Sequence, residues 1–275
     1  MKEGPALVAA SRAGIGLALL AGWLPFLLFA GASLKTPVEI TSMPPRLWPS
    51  GTLEPYRSAI VDYGLLRYLG NSLVVASATT AATLLIAAPA GYALARLRFI
   101  GRRSLLGLSL AAAMFPQVAI AGPVWRILRA LGLLNHLPGL VLPHLSLTLP
   151  LALWLLASFF RELPVELEEA ALVDGCSRAA VLRRIVAPLA APGVFTCAIL
   201  VFIYSWNEFF FALLVLSDPA KQTLPLGIAL FPGQYTMPWG EIAAASVVAT
   251  LPLLALVLPL QRRITHGLVA GALKG

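Results

Sequence analysis

The sequence predicts an all-α integral membrane protein with six transmembrane helices, and three observations support this fold class. First, 59% of the 275 residues are hydrophobic and 12% are charged, with a mean hydropathy of +0.86, whereas soluble domains carry about 25% charged residues. Second, long tracts without Asp, Glu, Lys or Arg reach the roughly 20 residues that a membrane-spanning helix needs. Third, these tracts are apolar throughout, whereas spanning strands would alternate in polarity.

The six predicted spans follow one another along the chain. They cover residues 13–34, 69–95, 104–127, 139–160, 192–216 and 242–261. The first span is about 22 residues long, and Lys35 follows it where a signal peptide would have a small-residue cleavage site, so we expect it to be retained. The fifth span continues past Glu208, which places this glutamate inside the membrane. Prolines within the spans, such as Pro116, predict kinks.

The basic residues predict the orientation of the chain in the membrane. A net charge of +8 is compatible with binding to nucleic acid, but the basic residues flank the spans and form no single soluble face. Thirteen of the 20 Lys and Arg residues fall in segments on the same side as the N-terminus. The positive-inside rule therefore predicts that both termini are cytoplasmic, together with the segment 161–188 and the tail 262–275. The loop 35–67 is then external and reads as a cap or docking surface.

The segment 161–188 is a polar insert with the signals of two short helices. Pro164 is placed to open the first helix, and three glutamates follow near its positive end. Gly175 is placed to end this helix, Ser177 to cap a second helix over residues 178–186, and Pro188 to end that one. These signals predict a cytoplasmic helix-turn-helix. From the residues alone it is either an interfacial hairpin that connects two spans or a docking surface for a cytoplasmic partner.

Several chemistries have no motif in the sequence. Cys176 and Cys197 fall in different environments, and the three histidines lack metal-ligand spacing. No Gly-x-x-x-x-Gly-Lys-Ser/Thr, His-Glu-x-x-His or Gly-x-Ser-x-Gly motif occurs. We therefore expect no catalytic residue, no metal and no cofactor bound by this chain.

The insert resembles the EAA loop of ABC importer permeases. The family pattern is Glu-Ala-Ala, three residues, Gly, nine residues, Ile, one residue and Leu-Pro, and this chain has Ala187 where the family has Leu. The matching residues are Glu169, Ala170, Ala171, Asp174, Gly175, Ile185 and Pro188. Residues 90–97, the Trp-Asn-Glu-Phe run 206–209 and the tail 261–275 also resemble carbohydrate-uptake permeases of the maltose and trehalose type, and the tail resembles the second maltose permease.

The resemblance implies a set of partners and a location. The partners are two copies of an ABC ATPase that hold ATP and Mg, a second homologous permease, an extracytoplasmic sugar-binding protein and membrane lipid, with no nucleic acid. The location is the cytoplasmic (inner) membrane of a prokaryote, with a multi-pass chain. In the insert, Glu169 would pair with a basic residue of the ATPase, Ala170 and Ala171 would allow close approach, and Gly175 would make the turn. The implied substrate is a disaccharide or oligosaccharide such as trehalose or maltose, with glycerol-3-phosphate or another polyol as the alternative.

Four residues of the fifth span are candidates for a substrate pathway. A carboxylate such as Glu208 within a span is a functional-site candidate by default. Trp206 can pack on sugar C–H groups, and Asn207 and Glu208 can hydrogen-bond to hydroxyls, with Tyr204 nearby. The alternative for Glu208 is a structural polar pair. A secondary transporter is the less favoured function, because it usually shows repeated halves with broken helices, and no repeat is visible.

Overall fold

The computed structural model describes residues 5–231 and 237–272, and it describes side chains at positions 11–12, 14–231 and 237–258. Its helices are α1 (Pro5–Ala32), α2 (Pro37–Ile40), α3 (Glu54–Val61), α4 (Leu65–Arg96), α5 (Arg102–Ala113), α6 (Gln117–Ala130), α7 (Pro138–Glu162), α8 (Glu166–Val173), α9 (Arg178–Val181), α10 (Ala187–Asn207), α11 (Phe210–Val215), α12 (Leu224–Ala229) and α13 (Trp239–Ala272). A π-helical turn covers Leu182–Val186, and a 3₁₀ turn covers Pro219–Lys221. The predicted all-α membrane fold is confirmed.

The chain forms two compact units. The first combines Met1–Leu66 with Ile228–Pro252, and the second combines Arg67–Gly227 with Leu253–Gly275. Our prediction of one permease domain over residues 1–275 stays a prediction. The second unit contains both the polar insert and the residues around Glu208.

In the first unit, the predicted external loop contains two short helices, and side-chain hydrogen bonds fix the start of α2. Thr36 Oγ1 accepts a hydrogen bond from the Glu39 backbone N–H at 3.3 Å, and Glu39 Oε2 accepts one from the Thr36 backbone N–H at 2.9 Å. This is a capping box. Ser50 Oγ donates to the same carboxylate at 2.8 Å. The hydrogen bonds from the Thr36 backbone, and then from Ser50, lower the pKa of Glu39 below its ordinary value of 4.5.

The core of the second unit is built where α4, α7 and α10 pack together. Small residues allow this close approach, as is common between membrane helices. Gly91 on α4 faces the backbone of α7, and a Cβ added there would lie 3.1 Å from Leu156 Cβ and 3.2 Å from the Ala157 backbone nitrogen. Gly193 on α10 is packed against the ring of Phe159, with which an added Cβ would collide. These contacts fix the three helices against one another.

Among the residues that the structure describes, five helices are long and apolar enough to span a membrane, or up to six if a bent pair counts as one span. The bent pair is α5 and α6, which meet at 96° across a short break. The third predicted span, 104–127, is therefore not one straight helix. Pro116 has an extended backbone (φ −60°, ψ 129°) at the break. A proline lacks the N–H for a helical hydrogen bond and disfavours helical geometry in the residue before it, which accounts for the interruption.

The fifth predicted span, 192–216, differs from the prediction at both ends. Pro188 does not end the second helix of the insert, because helix continues from Arg178 to Asn207. The π-helical turn lies just before this proline, and the Ala187 N–H donates to the Leu182 carbonyl five residues back. Such widened turns accommodate irregularities within helices. At the other end, α10 stops at Asn207, Glu208 is extended (ψ 125°), and α11 starts at Phe210.

The sixth span and the predicted tail form one helix in the described residues. Helix α13 continues past residue 261, the predicted end of the span, to Ala272. Residues 273–275 of the predicted tail lie outside the described residues, as do the side chains beyond Leu258.

Candidate functional site

The polar insert folds as a helix-turn-helix, as its end signals predict. Helix α8 begins at Glu166, two residues after Pro164, and Gly175 has φ +83° at its C-terminal end. The Gly175 N–H donates to the Leu172 carbonyl at 3.1 Å, and the Cys176 N–H donates to the Ala171 carbonyl at 3.0 Å. This pair of bonds is a Schellman motif, which places the glycine in the left-handed region. Ser177 Oγ accepts from the Ala180 N–H at 3.3 Å and caps α9.

The predicted coupling residues divide between two sides of the insert. The exposed residues are Glu169, Ala170, Asp174, Gly175 and Pro188. Ala171 is buried and Ile185 is half-buried, and both pack into the chain's own hydrophobic core. One side of the insert therefore faces outward and carries charged residues of both signs, while the other side is attached to the transmembrane helices.

The attachment depends on Glu168, the residue just before the predicted motif. Glu168 Oε1 accepts from Arg96 Nε at 2.7 Å, and Oε2 accepts from Tyr92 Oη at 2.7 Å. Arg96 Nη2 also donates to the Leu163 carbonyl at 2.8 Å. The side chains of Arg96 and Glu168 are each 11% exposed. The sequence analysis noted residues 90–97 only as a family resemblance and assigned no role to Glu168.

One feature of the sequence indicates that Glu168 is buried and paired. Ala171 lies three residues further along α8, so the two residues share a face of the helix. That face is the buried one. A glutamate on the apolar side of a short helix needs a partner, because an unpaired buried charge is strongly unfavourable. The packing of α4 against α8 decides which nearby basic residue is that partner.

A second buried carboxylate, Glu208, lies at the break between α10 and α11. Its Oε1 accepts from the Phe211 N–H at 2.8 Å, and its Oε2 accepts from the Ala212 N–H at 3.2 Å, so it caps α11. His144 Nε2 lies 3.1 Å from Glu208 Oε2, and His144 Nδ1 lies 2.7 Å from Ser205 Oγ. These contacts of His144 join α7 to the broken span within a single subunit. No pattern in the sequence pairs His144 with Glu208.

The four predicted pathway residues fall into two environments. Trp206 is 2% exposed and stacks on Phe202, with ring centroids 5.7 Å apart, and Glu208 is 7% exposed. Tyr204 is 36% exposed, and its Oη accepts from Gln117 Nε2 at 2.6 Å. Asn207 is exposed and donates from Nδ2 to the Ile203 carbonyl at 2.8 Å. Only Tyr204 and Asn207 reach an accessible surface of this chain.

Long apolar helices that carry a polar helix-turn-helix define an integral membrane protein. The chain belongs to the family described as "binding-protein-dependent transport system inner membrane component", whose model matches residues 87–268. This range includes the insert, Glu168 and Glu208. The protein is thus an inner-membrane component.

Relatives of known class match most of the chain. A sulfoquinovosyl glycerol transport permease of Agrobacterium fabrum is 44% identical over 94% of this chain and 90% of its own length. A trehalose/maltose transport permease of Thermococcus litoralis is 44% identical over 82% of each chain. A trehalose transport permease of Mycobacterium tuberculosis is 41% identical over 95% of this chain and 94% of its own.

Solved structures share the fold. A chain of a bacterial ABC transporter that imports the acidic polysaccharide alginate superposes with a TM-score of 0.79 at 19% identity, and the match covers 96% of this chain and 99% of that one. A second alginate transporter structure, in complex with a periplasmic protein bound to an alginate pentasaccharide, gives a TM-score of 0.65 at 15% identity over 92% of each chain.

Proposed function

We propose that this chain is the transmembrane permease subunit of an ATP-binding cassette importer that moves a disaccharide or oligosaccharide into the cytoplasm. One observation carries the proposal: the helix-turn-helix of the EAA type is anchored to the transmembrane helices on one side and exposed on the other. The relatives support the sugar class, because their names include trehalose, maltose and a sulfoquinovosyl glycerol.

The energy comes from partner proteins in this proposal. Two copies of an ABC ATPase hold ATP and Mg, a second homologous permease completes the pathway, and an extracytoplasmic binding protein delivers the sugar. Both termini and the insert face the cytoplasm. Closure of the ATPases around ATP displaces the inserts and shifts the permeases between inward-open and outward-open states. An ATPase can shift this equilibrium only through contacts that differ between the two states, so the insert must transmit displacement without deforming.

In this proposal, the exposed residues of the EAA motif form the ATPase-facing surface. Glu169 is exposed on α8 and available to a basic residue of the partner, and Ala170 beside it has a small side chain that permits close approach. Asp174 and Gly175 form the exposed turn, and Pro188 follows the π-helical turn. Ala171 and Ile185 support this surface from the buried side.

The test is reconstitution of the complete importer in proteoliposomes with its binding protein. We expect Glu169→Lys and Gly175→Pro to insert in the membrane but to lower sugar uptake per ATP hydrolysed. Charge reversal removes the pairing with the ATPase, and proline cannot adopt the positive φ of the turn. Glu162→Lys is the control, because it makes the same charge change at an exposed site at the end of α7. Normal coupling in both test variants would refute this assignment of the insert.

The substrate pathway is tested separately on the two accessible candidates. Tyr204→Phe removes the hydroxyl that contacts Gln117, and Asn207→Ala removes an exposed amide. We expect a higher sugar concentration at half-maximal uptake in both variants, with assembly unchanged. Unchanged uptake would place the pathway elsewhere, for example in the second permease. Affinities of the binding protein across a panel of trehalose, maltose, longer oligosaccharides and glycerol-3-phosphate decide the substrate class.

A further inference from the structure

The inner end of α4 is linked to the insert by a buried cluster that lies outside the exposed motif. We call Tyr92, Arg96 and Glu168 the anchor cluster. Both oxygens of the Glu168 carboxylate are used, one by the Arg96 guanidinium and one by the Tyr92 hydroxyl, each at 2.7 Å. The guanidinium also binds the Leu163 carbonyl at 2.8 Å. One arginine therefore holds both the connection that leaves α7 and the helix α8 that follows it.

The geometry of the anchor cluster is that of a rigid joint. Charge-assisted hydrogen bonds of this length are stronger than neutral ones, and a planar guanidinium with two acceptors fixes direction as well as distance. A surface pair in the same chain shows the contrast, because Arg57 and Glu54 are 3.7 Å apart with side chains 75% and 66% exposed. Exposed pairs of that kind contribute little.

The helix that carries the anchor cluster is itself fixed to the core. Gly91, next to Tyr92, lies against the backbone of α7 at Leu156 and Ala157. The Tyr92 ring meets Phe160 of α7 edge to face, with centroids 5.7 Å apart. A displacement applied to α8 therefore has a continuous path of packed and hydrogen-bonded groups into α4 and α7.

We infer that Tyr92 and Arg96 are positioning residues that fasten the coupling insert, through Glu168, to α4. In this arrangement, Glu169, Ala170 and the turn at Gly175 receive the movement of the ATPase, and the anchor cluster transfers it to the membrane helices. The inference rests on the proposed function and adds to it the residues that make the insert move with the transmembrane helices. Two consecutive glutamates thus have different tasks, with Glu169 facing the partner and Glu168 facing the chain's own helices.

The test compares variants in the reconstituted complex. We expect Glu168→Ala and Arg96→Ala to assemble with the ATPase but to lower sugar transported per ATP by about tenfold, within the usual range of coupling between sites. Tyr92→Phe removes one neutral donor, so we expect a fall of about two- to fivefold. Exchanging the charges in Arg96→Glu with Glu168→Arg should restore part of the coupling. The matched control is Glu166→Ala, which removes an exposed glutamate from the same helix.

A distance measurement separates positioning from a general loss of structure. Spin labels at Leu85 on α4 and Val173 on α8, both exposed, report the insert relative to the membrane helices once Cys176 and Cys197 are replaced. We expect Glu168→Ala to broaden the distance distribution in the assembled complex and Glu166→Ala to leave it unchanged.

Each outcome of the two measurements has a distinct meaning. The inference is overturned if Glu168→Ala and Glu166→Ala transport the same amount of sugar per ATP and give distance distributions of the same width. In that case, uptake by the wild type still supports the proposed function. If the wild-type complex takes up no sugar of the panel, the proposed function fails. The distance distributions then decide alone whether Glu168 positions the insert: a broadened distribution supports it, and an unchanged one overturns it.

Discussion

Two buried carboxylates of the second unit, Glu168 and Glu208, have contrasting environments. The Glu168 side chain is 11% exposed and is paired with an arginine and a tyrosine at the end of α4. The Glu208 side chain is 3% exposed and is paired with His144 and two backbone N–H groups at a break in a span. Glu168 joins α4 to α8, two elements that are far apart in sequence. Glu208 also joins distant elements, and in addition it links α10 and α11 across the break in the fifth span.

The difference between the two sites follows from the partners. An arginine remains charged at any pH that a protein experiences, so Glu168 has a permanently cationic partner next to an exposed surface. Backbone N–H groups at a helix start are unsatisfied unless something accepts from them, and no water is available in a membrane core. Glu208 therefore satisfies backbone groups that the interruption would leave without a partner.

The largest expected effect is that of Glu208→Ala. This change leaves the first N–H groups of α11 without an acceptor and removes the partner of His144, so we expect a loss of about 3 kcal/mol in the free energy of unfolding. Denaturant titration of the purified protein in detergent measures it. Glu208→Gln keeps one oxygen acceptor and should lose less. Loss of uptake in an assembled Glu208→Gln variant would favour a role in the substrate pathway, and wild-type stability of Glu208→Ala would contradict the capping role.

Gly175→Ala has the next largest expected effect. It changes the insert that contains Glu168, the first of the two carboxylates compared. A Cβ at this position meets nothing within 4 Å, so the effect comes only from the positive φ. Left-handed backbone costs a residue with a Cβ about 1–2 kcal/mol. We expect faster hydrogen exchange over residues 166–186 and lower coupling, with Gly175→Asn less affected. Gly107→Ala on α5 also enters open space, but in a helix, and should show no such loss.

Ser205→Ala makes a smaller change at the site of Glu208, the second of the two carboxylates compared. It removes the hydroxyl 2.7 Å from His144 Nδ1 and leaves Glu208, which lies 3.1 Å from His144 Nε2, in place. We expect a loss of about 1 kcal/mol in the free energy of unfolding, the typical net value of one buried hydrogen bond. Ser158→Ala is the matched control, because its hydroxyl bonds only to the Trp154 carbonyl of its own helix and is exposed. Equal effects of the two variants would show that Ser205 does not support His144.

The smallest effect concerns Glu39, a half-buried carboxylate of the first unit that extends the comparison beyond the two buried carboxylates. Its pKa is lowered by the Thr36 backbone and by Ser50, so the ionised form is favoured in the folded segment. Its stabilising contribution is present above the ordinary pKa and is lost as the pH falls through the lowered value. We expect hydrogen exchange over residues 36–50, corrected for the intrinsic effect of pH, to quicken on acidification. Glu39→Gln should remove this pH dependence, and its persistence in that variant would assign it to another group.

Local signals in the sequence predicted the insert more completely than the spans around it. Gly175 and Ser177 mark a turn and a cap whose bonds reach only a few residues along the chain, and both occur in the structure. The same type of reasoning was wrong at Pro188, because the turn before this proline widens into a π-helical turn and the helix continues through it. It was also wrong for the fifth span, which was predicted to continue as helix past Glu208. Helix α10 ends at Asn207, and the Glu208 carboxylate accepts hydrogen bonds from the backbone N–H groups at the start of α11.

The sequence by itself determined the all-helical membrane fold, the apolar tracts and the position of the coupling insert. These depend on hydrophobicity, on helix signals and on a motif, all of which are local in the chain. Only the tertiary structure decided the partners of the two buried glutamates, Arg96 for Glu168 and His144 for Glu208. These pairs join residues 72 and 64 positions apart. Which polar groups meet inside an apolar core depends on how the helices pack, and packing is a property of the folded chain.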